Sequence, residues 1–410
     1  MKIGIIGAGA SGMMAAICAA QKGANVVLIE KNDRVGKKIL ATGNGKCNVS
    51  NLSFDMSNYY CADTEKLEQI FSVFSVKELI TFFETNGLMI RSKNGYLYPY
   101  AEQAAVVLDF FRRLLQNKKI RICLNQEINR VEYKVEKFIV KGDTFSEEFD
   151  KVIIACGGPA SQKKGIGMTG FDIARKFGHQ VHKVVPGLVQ LHASDSFLKI
   201  VAGVRSQAEI KLFFDDKYVA TEQGEVQFTD YGISGIPVFQ VSRMVSYAVK
   251  EGKRVTVRIN FFPDMEEKEF WDCMKRRYDK MQSATVEEFL SGTVNKKINT
   301  AMIKLAGLKP EQNINKIAFE NIKLLLKQYR ELMVHITASN GMENAQVCAG
   351  GVDFAEISTN MESFKCKGLY FTGEVVDVDG KCGGYNLQWA FTSGYIAGRS
   401  AACKESTNEK

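Results

Sequence analysis

The pattern of apolar and polar residues predicts a strand, a helix and a second strand at the start of the chain. An apolar run begins at Ile3, an Ala-rich stretch of helical length follows it, and a second apolar run from Val26 to Ile29 ends in Glu30. Short uninterrupted apolar runs are typical of strands that are buried on both faces, and such strands are usually joined by a helix. Residues 3–30 therefore predict a β-α-β unit.

Alternation and helical periodicity predict the elements that follow. Helices are predicted at residues 64–87 and 102–118, with Tyr96–Pro99 in a turn between them, and strands at residues 120–124, 127–133, 137–141 and 151–155. The chain is strand-rich from about residue 188 to 262, with turns at Phe213–Asp216 and Gly232–Gly235. It is helical from about residue 264 to 334, in segments at 266–281, 286–290, 295–305 and 314–329, and a last helix runs from about Asn386 to Cys403.

The order of these elements predicts two domains, one of which interrupts the other. Residues 1–187 and 336–410 carry the β-α-β unit and the last helix, so both chain ends are expected to form one α/β nucleotide-binding domain. Residues 188–335, which are β-rich and then helical, are expected to form an inserted domain that selects the substrate. A length of 410 residues accommodates two such domains.

Composition and charge are typical of a soluble globular protein. Hydrophobic residues make up 45% of the chain and charged residues 24%, and no stretch beyond the opening unit approaches membrane-spanning length. We therefore expect no membrane insertion and a cytoplasmic location. Much of the net charge of +8 lies early, since residues 1–51 contain seven Lys or Arg and two acids. That excess suits a phosphate-bearing cofactor, and no segment resembles an RNA-recognition module.

The ten cysteines and four histidines predict neither a disulfide framework nor a metal site. The cysteines are widely separated and form no Cys-x-x-Cys pair, so their spacing fits neither an iron–sulfur cluster nor structural zinc. We expect reduced thiols, as in the cytosol, and no bound metal.

The glycines of the opening unit predict an adenine dinucleotide cofactor. Gly7 permits a tight turn after the strand, Gly9 lets the backbone approach a pyrophosphate, and Gly12 lets the helix pack close to the strand. The start of the helix offers unpaired N–H groups and a positive dipole end to the phosphates. Glu30, at the end of the second strand, can accept hydrogen bonds from a ribose.

Two further glycine-rich stretches predict a lining for a flat cofactor. Residues 36–51 follow Glu30 directly and combine glycines and asparagines with Lys37 and Lys38, so the main chain can approach a ring while the lysines meet phosphates. Residues 373–388 contain a glycine loop that opens the last helix. A helix start there can face the pyrimidine edge of a flavin, where negative charge grows on reduction.

A second literal Gly-x-Gly-x-x-Gly, at residues 165–170, lacks the context of a dinucleotide site. The nearest predicted strand ends well before it, and no acid closes a following strand. We interpret this motif as a turn that leads into a helix. Because the chain has one intact dinucleotide-binding motif, FAD is favoured as the resident cofactor. NAD(P)H is expected to bind transiently as electron donor, without a Rossmann domain of its own.

These stretches resemble the YhiN/BaiN-like flavoprotein family, which is also labelled aminoacetone-oxidase-like. The resemblance extends over nearly the whole chain. It rests on GAGASGMMAA from Gly7, GKKILATGNGKCNVSN from Gly36, FTDYGISGIPVFQVS from Phe228, and GLYFTGEVVDVDGKCGGYNLQWAFTSGYIAG from Gly368. It implies an α/β fold in which a Rossmann-like FAD-binding domain, formed by both chain ends, carries an inserted β-barrel-like and helical domain.

The resemblance also implies which residues line FAD. They are Gly7, Gly9, Ala10, Ser11, Gly12, Glu30, Lys31, Lys38, Thr42, Gly43, Asn44, Gly45, Gly157, Gly158, Gly373, Glu374, Gly384, Asn386 and Leu387. The chain departs from the family's pattern in three places: Lys46 replaces a usual Arg, Cys156 replaces a frequent Thr, and Lys381-Cys382 replaces an aromatic residue and Thr. These departures affect which side chains lie over the flavin ring. FAD binding is expected in spite of them.

The resemblance implies flavin-dependent oxidoreductase chemistry, with three reactions in the family's characterised branches. These reactions are reduction of 3-oxo-Δ4,6 bile-acid intermediates, reduction of a uridine in large-subunit ribosomal RNA to dihydrouridine, and oxidation of small amines such as aminoacetone. The first two deliver hydride to a C=C conjugated to a carbonyl and then protonate the enolate. We expect NAD(P)H-dependent reduction of such an enone, preferably a steroid-like bile-acid intermediate. Ribosomal RNA and aminoacetone are the alternative substrates.

Four residues close to the predicted flavin loops are candidates for the enolate donor and the proton source. Cys47 and Asn48 lie in the first loop, and Lys381 and Tyr385 lie in the second. Each side chain can donate a hydrogen bond or a proton. The sequence predicts no particular oligomeric state.

Overall fold

The computed structural model describes residues 1–162 and 167–403. The chain divides into two compact units. The first unit comprises Met1–Val185 and Gln346–Lys410, and the second unit comprises Pro186–Ala345. Both ends of the chain therefore belong to one unit, and the second unit is an insertion.

The first unit begins with the predicted β-α-β arrangement. Its first segment contains β1 (Lys2–Ile6), α1 (Ala10–Gln21), β2 (Asn25–Ile29), β3 (Ser50–Asn51), β4 (Tyr59–Tyr60), α2 (Thr64–Val73), α3 (Val76–Thr85), β5 (Ile90–Lys93), β6 (Tyr96–Pro99), α4 (Ala104–Asn117), β7 (Arg121–Cys123), β8 (Ile128–Lys134), β9 (Lys137–Gly142), β10 (Ser146–Phe149), β11 (Lys151–Ile154) and α5 (Thr169–Lys176), with 3-10 helices at Ile39–Gly45 and Met56–Asn58. β1 and β2 are buried along most of their length, as their uninterrupted apolar runs predict.

The second unit is built from a β-barrel and helices. The strand β12 (Val185–Gly187) spans the boundary, and the elements that follow are β13 (Leu191–Ala193), α6 (Leu198–Val201), β14 (Arg205–Phe214), β15 (Lys217–Phe228), β16 (Gly232–Gly235), α7 (Ile236–Lys250), β17 (Val255–Asn260), α8 (Glu267–Lys280), α9 (Val286–Leu290), α10 (Lys296–Leu305), a 3-10 helix (Ile314–Lys316), α11 (Phe319–Arg330) and β18 (Leu332–Ser339). The barrel closes in the order β13-β16-β15-β14-β17-β18. The sequence predicts a domain boundary at residue 335, which falls inside the barrel strand β18.

The chain then returns to the first unit and completes its parallel sheet. The returning segment contains β19 (Val347–Ala349), β20 (Leu369–Phe371), β21 (Asp379–Gly380) and α12 (Tyr385–Ala402), with 3-10 helices at Phe354–Glu356 and Gly373–Val375. The sheet has the order β20-β11-β1-β2-β7, and every neighbouring pair is parallel. The predicted fold class is confirmed: the chain ends form an α/β Rossmann-like unit, and the insertion carries a barrel and helices.

Helices α1 and α12 pack against each other at very short range. A Cβ atom at Gly394 would lie 2.4 Å from the Ser11 carbonyl oxygen, and one at Gly398 would lie 2.2 Å from the Ala15 carbonyl oxygen. Glycines one turn apart on α12 therefore allow its backbone to touch that of α1, which joins the two chain ends. Within residues 1–162 and 167–403, none of the helices is long and apolar enough to cross a bilayer.

Two predictions on the first unit are wrong in detail. Tyr96–Pro99 is not a turn but the strand β6, which lies between β3 and β5 in an antiparallel sheet. The predicted helix 64–87 is two helices, because the Ser75 side chain accepts a hydrogen bond from the Lys77 N–H and starts α3 with a capping box.

Two predictions on the second unit are also wrong. Gly232–Gly235 is the barrel strand β16, since a Cβ atom at Gly232 would lie 1.9 Å from the Leu191 carbonyl oxygen and glycine permits that close pairing. The region described as strand-rich also contains the helix α7, whose Pro237 occupies the first turn, where proline is tolerated. The second Gly-x-Gly-x-x-Gly motif belongs to the first unit. Residues 165 and 166 of the motif lie outside the described residues, and α5 begins within it, at Thr169.

Candidate dinucleotide-binding site

The carboxyl ends of the parallel strands bring predicted cofactor residues to one edge of the sheet. β1 leads to Gly7, β2 to Glu30, β11 to Gly157 and β20 to Gly373. Because neighbouring strands are parallel, these ends lie side by side. Ligands of open α/β sheets bind in the crevice outside this edge.

The turn between β1 and α1 has the geometry that its three glycines predict. Gly7 has a φ of +105°, and a Cβ atom there would lie 2.4 Å from the Ala155 carbonyl oxygen. A Cβ atom at Gly12 would lie 1.9 Å from the Gly7 carbonyl oxygen, so the helix and the turn are in direct contact. At Gly9, by contrast, a Cβ atom would meet no heavy atom of the described residues within 4 Å, chain neighbours apart. The backbone at Gly9 therefore borders open space, as an approaching pyrophosphate requires.

The Glu30 side chain holds this turn in place. The residue is 8% exposed, its Oε2 accepts a hydrogen bond from the Ala8 N–H at 2.8 Å, and its Oε1 accepts one from the Asn32 N–H at 2.9 Å. A carboxylate has about four lone-pair sites. Asn32 Nδ2 also donates to Oε1 at 2.5 Å, so Glu30 accepts three hydrogen bonds and can accept about one more, from a ribose hydroxyl.

A cleft of about 420 Å³, which includes space open to solvent, lies beside Glu30. It is lined by Ile6, Gly7, Ile29, Glu30, Lys31, Gln126, Glu127, Ile128, Cys156, Gly167 and Thr169. Of these residues, the sequence analysis named Gly7, Glu30 and Lys31 as cofactor residues and missed the others, among them residues 126–128, Gly167 and Thr169. Residues 126–128 reach the cleft because the Gln126 N–H donates to the Glu30 carbonyl oxygen at 2.9 Å. The only signal in the sequence is that they follow a short strand, β7, which becomes the neighbour of β2.

The predicted lysines meet acceptors from distant parts of the first unit. Lys31 Nζ donates to Gln162 Oε1 at 2.7 Å, and Lys38 Nζ lies 2.8 Å from Glu374 Oε2. Glu374 Oε1 in turn accepts a hydrogen bond from the Cys348 N–H at 2.8 Å. Glu374 therefore links the glycine-rich stretch of residues 36–51, through Lys38, to the returning segment.

Gly157 and Gly158 lie next to this carboxylate, and the space at Gly158 is too small for a larger residue. A Cβ atom at Gly158 would lie 2.2 Å from Cys348 Sγ, and one at Gly157 would lie 3.6 Å from Glu374 Oε2. Burial, and then the Glu374 carboxylate, raise the pKa of the Cys348 thiol well above its ordinary value. This wall of the site is therefore an uncharged thiol packed against glycine backbone.

The backbone from Gly43 to Gly45 is left-handed at three successive residues. The φ angles are +55° at Gly43, +52° at Asn44 and +82° at Gly45, and all three residues are exposed. Thr42 is extended and its Oγ1 donates to the Ile39 carbonyl oxygen at 2.6 Å, which ends the preceding helical turn. The result is an exposed main-chain surface with few side-chain atoms, which suits close approach by a planar ligand.

The two predicted flavin loops meet at the start of α12. A Cβ atom at Gly384 would lie 2.6 Å from the Ser50 carbonyl oxygen and 2.8 Å from Asn48 Oδ1. Ser50 Oγ donates to Gln388 Oε1 at 2.6 Å, and both residues are fully buried. Buried polar contacts therefore fix the register of one loop on the other.

Asn386 shapes the loop that precedes α12. Its Oδ1 accepts a hydrogen bond from the Gly380 N–H at 2.9 Å, and its Nδ2 donates to the Gly380 carbonyl oxygen at 2.7 Å. Leu387 is half-buried in the first turn of the same helix. The side chain of Asn386 therefore holds the loop, while the first-turn N–H groups of α12 lie at the positions that the sequence predicts for a flavin edge.

The four predicted catalytic residues lie around this junction in different environments. Cys47 is fully buried and Tyr385 is 6% exposed, with its hydroxyl donating to the Ser53 carbonyl oxygen at 3.0 Å. The backbone N–H of Lys381 donates to the Asn58 carbonyl oxygen at 2.9 Å. Asn48 Oδ1 is buried, and no atom of the described residues donates a hydrogen bond to it. Asn48 is thus the candidate whose polar group most needs a ligand partner.

Cys47 is expected to resist alkylation in the folded protein. Burial raises the pKa of its thiol to about 11, so at pH 8 it is both neutral and inaccessible. Iodoacetamide should modify the exposed Cys403 at least about 100-fold faster than Cys47, and unfolding in urea should remove the difference. Peptide mass spectrometry measures both rates, and equal rates in the folded protein would contradict the buried placement.

Comparison with known proteins identifies relatives over nearly the full chain. The family model described as the HI0933-like protein Rossmann domain matches residues 1–400. A protein named 3-dehydro-bile acid delta(4,6)-reductase, from Clostridium scindens, is 40% identical over 98% of this chain and 99% of its own. A protein named ribosomal RNA dihydrouridine synthase, from Escherichia coli K12, is 28% identical over 98% of each chain.

A solved structure supports the fold at lower identity. The 3-ketosteroid-delta4-(5alpha)-dehydrogenase from Rhodococcus jostii RHA1 superimposes with a TM-score of 0.51 and 13% identity, over 98% of this chain and 96% of that one. At this identity the likeness concerns the fold alone.

Proposed function

The chain belongs to the HI0933-like Rossmann-domain family, and from that premise we propose that it is an FAD-dependent oxidoreductase that uses NAD(P)H to reduce a C=C conjugated to a carbonyl. The preferred substrate is a 3-oxo-Δ4,6 bile-acid intermediate. The observation that carries this proposal is the 40% identity, over both chains nearly end to end, to a bile-acid delta(4,6)-reductase.

The residues at the sheet edge fit a resident dinucleotide. The open space at Gly9 accommodates a pyrophosphate at the start of α1, and Glu30 keeps acceptor capacity for a ribose. Asn48 Oδ1 is a buried acceptor that lacks a donor within the described part of the chain, and it lies beside Gly384. FAD would satisfy these three features in one extended molecule, with its adenosine near Glu30 and its ring near the start of α12.

FAD supplies the hydride chemistry, since it can accept a hydride from NAD(P)H and pass it to an electron-poor C=C. The chain's own residues bind and orient the cofactor and control the charge around it. The first-turn N–H groups of α12 favour negative charge near the helix start, which stabilises the reduced cofactor. Lys38 is paired with Glu374 and so offers a positive charge at a fixed position.

An anaerobic assay tests the proposal directly. The purified protein should carry a flavin that NAD(P)H bleaches, and addition of a 3-oxo-Δ4,6 bile acid should restore the oxidised spectrum while the product gains two hydrogens. A saturated steroid with the same side chain is the control and should leave the flavin reduced. A flavin that NAD(P)H reduces but that no enone reoxidises would refute the proposed reaction.

A second candidate is a reductase that forms dihydrouridine in large-subunit ribosomal RNA. Full-length identity of 28% to a ribosomal RNA dihydrouridine synthase favours it, and a uracil ring also presents a C=C conjugated to a carbonyl. Mapping dihydrouridine in ribosomal RNA from a deletion strain separates the candidates. Loss of one modification supports the RNA substrate, and an unchanged map removes it. Peroxide release with aminoacetone under air would instead support the amine oxidase alternative.

A further inference from the structure

Two tyrosines on strand β6 present their rings on one face of the sheet formed by β3, β6 and β5. Tyr96 and Tyr98 are two residues apart, so their side chains project to the same side, while Leu97 and Pro99 are buried on the other. Both tyrosines are half-buried. The strand thus places a pair of phenols on the surface that adjoins the second flavin loop.

Neither phenol is committed to a structural hydrogen bond. Within residues 1–162 and 167–403, the hydroxyls of Tyr96 and Tyr98 have no hydrogen-bond partner. The neighbouring tyrosines differ: Tyr59 donates to the Tyr385 carbonyl oxygen at 3.0 Å, and Tyr385 donates to the Ser53 carbonyl oxygen at 3.0 Å. A half-buried phenol usually has a partner, so these two are available for a ligand.

Of the two phenols, Tyr96 is the one in contact with the loop that leads into α12. A Cβ atom at Gly383 would lie 3.1 Å from Tyr96 Cε1 and 3.1 Å from Tyr385 Cε2. Asn51 Nδ2 donates to the Gly383 carbonyl oxygen at 3.2 Å and fixes that peptide. Because Gly384 follows directly and caps α12, the Tyr96 ring lies against the segment proposed to hold the flavin ring.

We propose that Tyr96 is the proton donor of the reaction, its phenol contacting the substrate and protonating the enolate that hydride transfer leaves. This inference rests on the proposed function and assigns its missing acid. Tyr385, the tyrosine that the sequence favours for this chemistry, is engaged with the backbone of Ser53 and instead supports the loop.

The step balances in atoms and electrons. The hydride would come from bound FAD after NAD(P)H has reduced it. It would add to the far carbon of the conjugated C=C, whose π pair would move toward the carbonyl to leave an enolate. The enolate carbon then takes the proton of the Tyr96 hydroxyl as the carbonyl re-forms. The resulting phenolate recovers a proton from water, so the substrate gains one hydride and one proton and Tyr96 is restored.

The surroundings keep Tyr96 in its acid form. Burial, and then the neighbouring Cys382, raise the pKa of the Tyr96 phenol above its ordinary value. Burial and Tyr96 likewise raise the pKa of Tyr98, while the Lys46 ammonium opposes that rise. Both phenols are therefore protonated at neutral pH, as a proton donor must be before the substrate arrives.

The experiment isolates the oxidative half of the reaction. The holoenzyme is photoreduced without NAD(P)H under anaerobic conditions and mixed with a 3-oxo-Δ4,6 bile acid, and flavin reoxidation is followed by stopped flow. Tyr96→Phe should slow reoxidation by at least about 100-fold, the contribution typical of a general acid. Flavin content and the rate of reduction by NAD(P)H should be unchanged, because the substitution removes a hydroxyl that has no partner in the described chain.

Two tyrosine controls lie nearby, Tyr98 on the same face of β6 and Tyr100 directly after the strand. Tyr98→Phe removes the second phenol, and Tyr100→Phe removes an exposed one further along. Each should change reoxidation by no more than about threefold, on the expectation that only the donating phenol carries the general-acid effect. Wild-type reoxidation should also be slower in D₂O than in H₂O, and this isotope effect should be altered in Tyr96→Phe alone.

The outcomes separate this inference from the proposed function. Wild-type flavin that the bile acid never reoxidises would refute the function, and the inference with it. Wild-type reoxidation with an unaffected Tyr96→Phe would overturn the inference and leave the function standing. A loss confined to Tyr98→Phe would overturn the assignment to Tyr96. Loss of flavin from Tyr96→Phe would show a structural role and would also overturn it.

Discussion

Gly9→Val is expected to yield a folded protein that no longer retains a flavin. The backbone at Gly9 has φ −79° and ψ −167°, which any residue can adopt. A Cβ atom there meets no heavy atom of the described residues within 4 Å, chain neighbours apart, so the protein itself does not resist the change. The new side chain instead fills the space proposed for the pyrophosphate. We expect FAD affinity to fall at least about 100-fold, or about 2.7 kcal/mol.

Gly12→Val is the contrasting variant. Its Cβ atom would lie 1.9 Å from the Gly7 carbonyl oxygen, so the helix cannot stay in contact with the turn and folding should fail. The measurements are the ratio of flavin to protein after purification, titration of the apoprotein with FAD, and thermal unfolding by circular dichroism. A Gly9→Val protein with a full complement of tightly bound flavin would contradict the placement of the cofactor.

The contrast between Gly9 and Gly12 shows what the sequence determines well. The spacing of Gly7, Gly9 and Gly12 after an apolar strand predicts three distinct local roles. The steric part of each is visible, as crowding at Gly7 and Gly12 and as open space at Gly9. The prediction works because every partner lies within the same β-α-β unit or its immediate neighbour. Residue type alone therefore indicates such short-range steric requirements.

Elements that depend on distant pairing were harder to predict. Tyr96–Pro99 ends in proline and looks like a turn, yet it pairs with Ser50–Asn51, which lies more than forty residues earlier in the chain. Gly232–Gly235 looks like a turn because it is rich in glycine, yet Gly232 serves close pairing with β13 and Gly235 close pairing with β15. A hydrophobic pattern gives no direct information about which strand a segment will meet.

The candidate site likewise combines features that the sequence predicts with features that depend on contacts between distant residues. Glycine-rich segments and Glu30 could be located from spacing alone, whereas the roles of their neighbours required the structure. The Glu374 contacts with Lys38 and the Cys348 N–H join residues far apart in sequence. Tyr96 carries no motif of its own. Its significance comes from β6 lying beside the loop that leads into α12, and from its hydroxyl having no hydrogen-bond partner among the described residues.

Gly398→Ala is expected to destabilise the first unit although alanine favours helices. In an exposed helix interior the change from glycine to alanine stabilises by about 1 kcal/mol. At Gly398 the new Cβ atom would lie 2.2 Å from the Ala15 carbonyl oxygen and 2.8 Å from Ala15 Cα. Backbone atoms cannot move aside as a side chain can, so α1 and α12 must separate. We expect a net loss of about 3 kcal/mol in the free energy of unfolding.

Urea unfolding of the apoprotein measures this loss. Trp389 lies in α12 and is 1% exposed, so in a Trp271→Phe background its fluorescence reports on the first unit. Ala402→Gly, in the last turn of the same helix, is the control and should cost less than about 1 kcal/mol, by helix propensity alone. The two substitutions are opposite in chemistry and should both destabilise, the first by sterics and the second by entropy. A Gly398→Ala protein as stable as the parent would mean that the helices do not pack at this distance. The joining of the two chain ends, on which the proposed flavin site depends, would then need another explanation.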